Sequence, residues 1–171
     1  LSRYGGLRCP SEHLALRWGD VDFERGRIVV RSSKTEHHDG KATRVIPLFP
    51  ELQPYLQAVY DELLEDFDPK ANRLSEQPVI TRYRDTRSNL RTQLDRIIKK
   101  ACLTPWPKRF QNLRATRETE LMEEFPAHVV CDWIGHTQAV ASKHYLQVTD
   151  EHFALATAPA SANLHNPMQS V

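Results

Sequence analysis

Apolar side chains recur along this chain with two different periods, and the change of period separates its strands from its helices. Val21-Asp22-Phe23 alternates apolar and polar, Glu24-Arg25-Gly26 supplies a turn, and Arg27-Ile28-Val29-Val30 is β-branched, so residues 21–31 predict a hairpin. Thr43-Arg44-Val45-Ile46 predicts a third strand, set apart by the polar loop Ser33-Lys34-Thr35-Glu36-His37-His38-Asp39-Gly40. From Pro50 the spacing lengthens. Leu52, Leu56, Val59, Leu63 and Leu64 recur at helical intervals and predict a helix to about Phe67. Leu90, Leu94, Ile97 and Ile98 form the apolar stripe of another, which puts Arg91, Arg96, Lys99 and Lys100 largely on its other faces. Shorter helices are predicted at 11–16, with Ser11 as N-cap, and at 111–124, 127–134, 138–147 and 150–157. The sum is an α+β fold, a mostly helical single domain over 1–157 with a small three-stranded antiparallel sheet. Residues 158–171, rich in Ala, Pro, Ser and Asn, bury too little to fold unaided and predict a tail.

Composition narrows the class without choosing a function. With 171 residues and 40% hydrophobic content the chain can bury one sizeable core. No stretch reaches the roughly 18–20 apolar residues of a membrane span, and Leu1-Ser2-Arg3 does not begin a signal peptide, so a cytoplasmic protein is expected. Cys9, Cys102 and Cys131 are far apart and in no CxxC spacing, and read as reduced, mostly buried thiols. The net charge is only +1, but its distribution is uneven: residues 51–77 hold seven Asp or Glu against Lys70 and Arg73, and residues 82–117 hold eleven Lys or Arg against Asp85 and Asp95. Such a basic half is either a solvated face balanced elsewhere or a surface that follows a phosphate backbone.

Three short patterns carry the candidate chemistry: Gly6-Leu7-Arg8, then Asn112-Leu113-Arg114, then Gly135-His136 followed nine residues later by Tyr145. Lys34 lies in the strand-rich segment between the first two. This succession resembles the catalytic domain of the tyrosine recombinase, or phage integrase, family. That family places an arginine in a G-L-R turn, a lysine in a β-hairpin loop, an H-x-L-R segment on a helix, and a G-H pair before a tyrosine. The resemblance covers residues 5 to about 155. It departs at two places: Gln111 stands where the family has the H-x-L-R histidine, and the run from Arg8 to Glu12 is one residue longer than the common G-L-R-x-x-E spacing and contains Pro10.

The resemblance implies a catalytic set of Arg8, Lys34, Gln111, Arg114, His136 and Tyr145. A phosphodiester under attack gains negative charge on its non-bridging oxygens, which guanidinium groups hold through paired hydrogen bonds. Arg8 and Arg114 would be those clamps, and His136 would donate a further hydrogen bond. Tyr145 would attack phosphorus and leave a 3′-phosphotyrosine, whose retained bond energy lets a second 5′-hydroxyl rejoin the strands without ATP, metal or cofactor. Lys34 is implied to protonate the leaving 5′-oxygen, although Lys41 shares its loop region. Gln111, one turn before Arg114, keeps hydrogen bonding on the same face but cannot accept a proton. Lys41, Arg82, Arg84, Arg87, Arg91, Lys108 and Arg109 would line double-stranded DNA. The family also implies a separate N-terminal helical domain, absent from this chain, and tetramers on DNA whose tails pack on neighbours, with residues 150–171 in that part. The isolated chain is expected to be a monomer, and the protein to be nucleoid-associated.

Each residue has a second reading. Arg114 can bind a carboxylate at a buried helix end, His136 can belong to a helix C-cap, and Tyr145 can be a core tyrosine. Lys34 can be an ordinary surface lysine. His37-His38 suggests a metal pair, but neighbouring side chains on an extended segment point apart. Two other functions also suit the whole: a DNA-binding module that keeps the fold without the reaction, and nicking and resealing of the type IB topoisomerase kind.

Overall fold

The computed structural model describes residues 1–32, 43–70, 72–85 and 89–137. Strands β1 (Val21–Asp22), β2 (Arg27–Arg31) and β3 (Thr43–Pro47) form one antiparallel sheet in the order β1-β2-β3. Val21 pairs with Ile28, Ile28 with Ile46, and Val30 with Arg44. Because side chains alternate across a strand, one face of β2 buries Ile28 and Val30, and β3 adds Ile46 to it. Arg44, opposite Val30, shares that inward face.

Among the described residues six helices accompany the sheet: α1 (Ser2–Gly5), α2 (Ser11–Ala15), α3 (Gln53–Glu65), α4 (Leu90–Lys100), α5 (Arg109–Glu124) and α6 (Ala127–Ile134). In α3 a proline occupies the first turn, where its missing N–H costs nothing. Asn89 starts α4 by accepting a hydrogen bond from the Thr92 amide. The main core joins Leu7, Leu16, Trp18, Leu48, Leu52, Leu56 and Val79 to the buried face of the sheet. A smaller cluster of Phe49, Leu121, Val130 and Ile134 locks α5 and α6 together. Among the described residues no helix is long and apolar enough to cross a membrane.

The architecture is the expected mostly helical domain with a three-stranded sheet, but three local expectations are corrected. Ser11 is the first residue of α2 and not its N-cap; the cap position falls to Pro10, because the Arg8 and Pro10 carbonyls already accept from the Glu12 and Leu14 amides. Ile97 is 64% exposed, so α4 buries only Ile98 from its apolar stripe. Cys102 is exposed, in a left-handed turn just past α4, and only Cys131 is fully buried. The expected helices at 138–147 and 150–157 and the tail at 158–171 lie outside the described residues.

Candidate active site

Two glycines bring the distant motifs into contact. Gly6 has a φ of 64°, and a side chain there would meet the Ile134 Cδ1 atom at 2.6 Å, so the G-L-R turn packs directly on the end of α6. Gly135 ends α6 at a φ of 80°, with Arg44 filling the space a Cβ would need, and turns His136 off the helix.

Arg114 fills the join between them. Its side chain is buried, donating to the Gly6 and Ile134 carbonyls at 2.5 Å each. Arg8 donates through Nη2 to the Gly135 carbonyl at 2.6 Å and through Nη1 to Glu12 Oε1 at 2.6 Å and Ser32 Oγ at 3.3 Å. The carbonyl oxygens orient both guanidiniums without adding charge, while the Glu12 carboxylate pairs with Arg8 directly. Arg8, Arg114 and His136 are thus brought together from three separate parts of the sequence.

Glu12 is the hub beneath them. It is almost wholly buried, accepts from the Arg8 amide at 2.7 Å, and pairs in bidentate fashion with Arg44 at 2.7 and 2.8 Å. Its Oε2 also lies 4.0 Å from Arg114 Nη1. Burial works to raise its pKa, but the Arg44 hydrogen bond and charge, with those of Arg8, outweigh it and hold the carboxyl at about 2. The longer Arg8–Glu12 run therefore still pairs these two residues. Arg44 completes the frame by donating to the Trp133 carbonyl at 2.7 Å. His136 Nε2 lies 2.6 Å from Oε1 of Glu118, a carboxylate that is 0% exposed.

The other candidates fall elsewhere. Gln111 is exposed on the first turns of α5. Arg82, Arg84, Arg91 and Lys108 are exposed, and Arg84 also donates to the Leu14 and Ile80 carbonyls. Arg109 is only 12% exposed and paired with Asp95, so its charge ties α5 to α4 and is not presented outward. Lys34, Lys41, Arg87, Tyr145 and the His37-His38 pair lie outside the described residues; Ser32, two positions before Lys34, is the nearest described neighbour and touches Arg8.

Sequence reasoning missed Arg44 and Glu118. A signal existed for each. Arg44 shares a strand face with Ile46, which is 1% exposed, so the period of two already puts it inward. Glu118 stands four residues past Arg114, on the face that Gln111 and Arg114 were expected to share.

Comparison with known proteins bears on the family and the fold. The sequence matches the Phage integrase family over residues 1–152. Tyrosine recombinase XerA of Thermococcus kodakarensis is 34% identical over 163 residues, which cover 90% of this chain and 51% of that protein. The chain therefore spans about half the length of this curated relative. A crystal structure of XerA recombinase matches 92% of this chain and 56% of its own with a TM-score of 0.66; at 20% identity this likeness concerns the fold.

Proposed function

Because the chain belongs to the Phage integrase family, we propose that it is the catalytic portion of a tyrosine recombinase, cutting and rejoining DNA through a 3′-phosphotyrosine. The observation that carries this reading is the pair of guanidiniums, Arg8 and Arg114, fixed by main-chain carbonyls beside His136. Two aimed cations over one buried carboxylate suit a group that gains negative charge as it reacts, and a phosphodiester under attack is such a group.

In this reading a backbone phosphate of double-stranded DNA sits against Arg8, Arg114 and His136. The Tyr145 oxygen bonds to phosphorus, the bond to the 5′-oxygen breaks, and Lys34 gives that oxygen a proton. Lys41, Arg82, Arg91 and Lys108 follow the flanking backbone, so binding weakens steeply with salt. The native assembly on DNA is a tetramer in which residues 150–171 pack on a neighbour, the isolated chain is monomeric, and the protein works in the cytoplasm, where DNA is accessible.

Covalent trapping on nicked duplex DNA tests the reading, using the chain and any longer native protein that contains it. An adduct that disappears in Tyr145→Phe is expected. DNA binding with no adduct would instead favour a binding module of the same fold, the reading that Gln111 supports because an amide cannot take up a proton. Relaxation of supercoiled plasmid without strand exchange would move the activity to the topoisomerase kind.

A further inference from the structure

Tyr83 is an exposed aromatic residue in a backbone conformation that works against it. Its φ is 61°, in the left-handed region, where Cβ crowds the following carbonyl oxygen and bulky side chains are rare. Lys108 and Cys102 share that sign of φ, but each sits at a helix end, Lys108 as the N-cap of α5 and Cys102 just past the C-cap of α4. Tyr83 lies in the loop 81–85, away from the described helices. Its side chain is 47% exposed, so packing gains little from the strain. Strain of this kind is kept where the surroundings impose it and a ligand uses it.

The surroundings do impose it. Val79, buried in the main core, donates its amide to the Leu16 carbonyl at 3.0 Å and fixes the start of the loop. Arg84 fixes the other end, donating through Nη1 to the Leu14 and Ile80 carbonyls at 3.0 Å each. Leu14 belongs to α2, two residues past Glu12, the carboxylate that pairs with Arg8. The loop is therefore tied to the same short helix that carries the hub of the arginine cluster. Of the exposed large apolar side chains among the described residues, Tyr83 alone has an arginine on each side. It also stands at the start of the basic stretch 82–117, where a polyanion is the fitting partner.

We propose that Tyr83 is a specificity residue for double-stranded DNA, its ring lying in a groove against sugars and base edges while Arg82 beside it pairs with a phosphate. This rests on the reading of the chain as a DNA strand-cleaving protein. A phosphate contact positions a protein on the duplex, and a base contact carries sequence information. An uncharged ring displaces no counterions, so what it adds to affinity does not depend on salt, whereas each arginine on a phosphate steepens the salt dependence. A tyrosine suits the boundary between the two, with an apolar face for sugar and base and a hydroxyl for water.

Binding to mixed-sequence duplex DNA over a range of salt concentrations tests this, using the chain and any longer native protein that contains it. Asparagine accepts a left-handed φ, so Tyr83→Asn removes the ring and leaves the loop its path. It should weaken binding about tenfold at every salt concentration, with the salt slope unchanged, and should unfold in urea no earlier than the wild type. Tyr83→Phe should recover most of the lost affinity. Arg82→Ala should instead lower the salt slope by about one. In selection from a pool of random duplexes, Tyr83→Asn should relax a base preference that Arg82→Ala retains. Wild-type affinity in Tyr83→Asn overturns the proposal and leaves the ring to a protein partner or to solvent. Earlier unfolding of Tyr83→Asn overturns it in favour of a part in the fold, and Tyr83→Phe as weak as Tyr83→Asn overturns the role of the ring. If the wild type binds no duplex, the strand-cleavage reading falls and this inference with it; if the wild type binds and Tyr83→Asn equals it, this inference falls alone.

Discussion

On one side of α5, Arg117 lies 4.4 Å over the Phe49 ring, pairs with Glu51 at 2.9 Å and with Glu120 at 3.6 Å, and is joined through Glu120 to Arg3. On another side, Arg114 hangs from the carbonyls of Gly6 and Ile134, and Arg8 and Arg44 meet with it around Glu12. The first cluster matches two arginines to two carboxylates, both partly exposed, and its charges cancel. The second, among the described residues, sets three guanidiniums around one buried carboxylate and uses uncharged carbonyls to steer all three. Balanced charge is what a cluster needs to hold elements together. A surplus of aimed positive charge is what an anion needs to bind. One helix serves both ends because its successive turns present Arg114 and Arg117 to different neighbours.

The comparison can be broken most severely at Arg114. Arg114→Ala should cut adduct formation on nicked DNA by about three orders of magnitude, the scale of losing a fixed donor to developing charge. An Arg114→Ala protein that still forms adduct at the wild-type rate would remove the distinction between the clusters.

Glu12→Gln strikes the same cluster through its anion. It strands Arg44 and part of Arg8, with an expected loss of about 3–5 kcal/mol in urea unfolding. The pH dependence follows from a carboxyl held at about 2 against an ordinary 4.5. A depressed acid stabilises the fold fully above 4.5 and loses that contribution as the pH falls through 2, so Glu12→Gln should flatten the acid-unfolding curve in this window.

A smaller effect comes from His13, which meets Ser2 Oγ at 2.8 Å behind the G-L-R turn. Burial pushes its pKa from 6.5 to about 4, so the folded state prefers the neutral ring. Stability contributed there is present above 6.5 and is lost as the pH falls toward 4. Replacing His13 with Gln should remove that slope, read by thermal unfolding against pH.

The smallest change is expected on the balanced side. Glu51 is 45% exposed, and Glu51→Gln should cost no more than about 1 kcal/mol in urea unfolding while leaving adduct formation unchanged. A large loss of cleavage there would show that the two clusters act as one.

The hairpin, the third strand and helices α3 and α4 were legible because each has a sustained apolar period, and Arg8, Arg114 and His136 because each sits in a short motif. Lys34 and Tyr145 rest on the motif alone. What stayed hidden was tertiary. Arg44 looks like a solvent-facing strand residue until the carboxylate and carbonyl it reaches are known, and Glu118 looks like one more charge on a polar helix. Position on a strand or helix face is the one signal either carries, and the residue type argues against it, because a charged side chain goes inward only when a partner waits for it. Ile97 shows the reverse error: helical spacing places it in the stripe, but among the described residues no element covers that edge of α4.

The span of the Arg8 contact to Gly135 has a consequence for folding. The two residues are 127 positions apart, and the Arg114 bond to Gly6 spans 108. Closing such loops costs chain entropy that local contacts do not repay, so they form late, after the hairpin and the individual helices. The proposed phosphate site would then come into being with the last closure of the chain. A partly folded molecule would hold the separate motifs but no clamp. During refolding, recovery of DNA cleavage should follow the slowest phase of structure formation, with no activity in the intermediates.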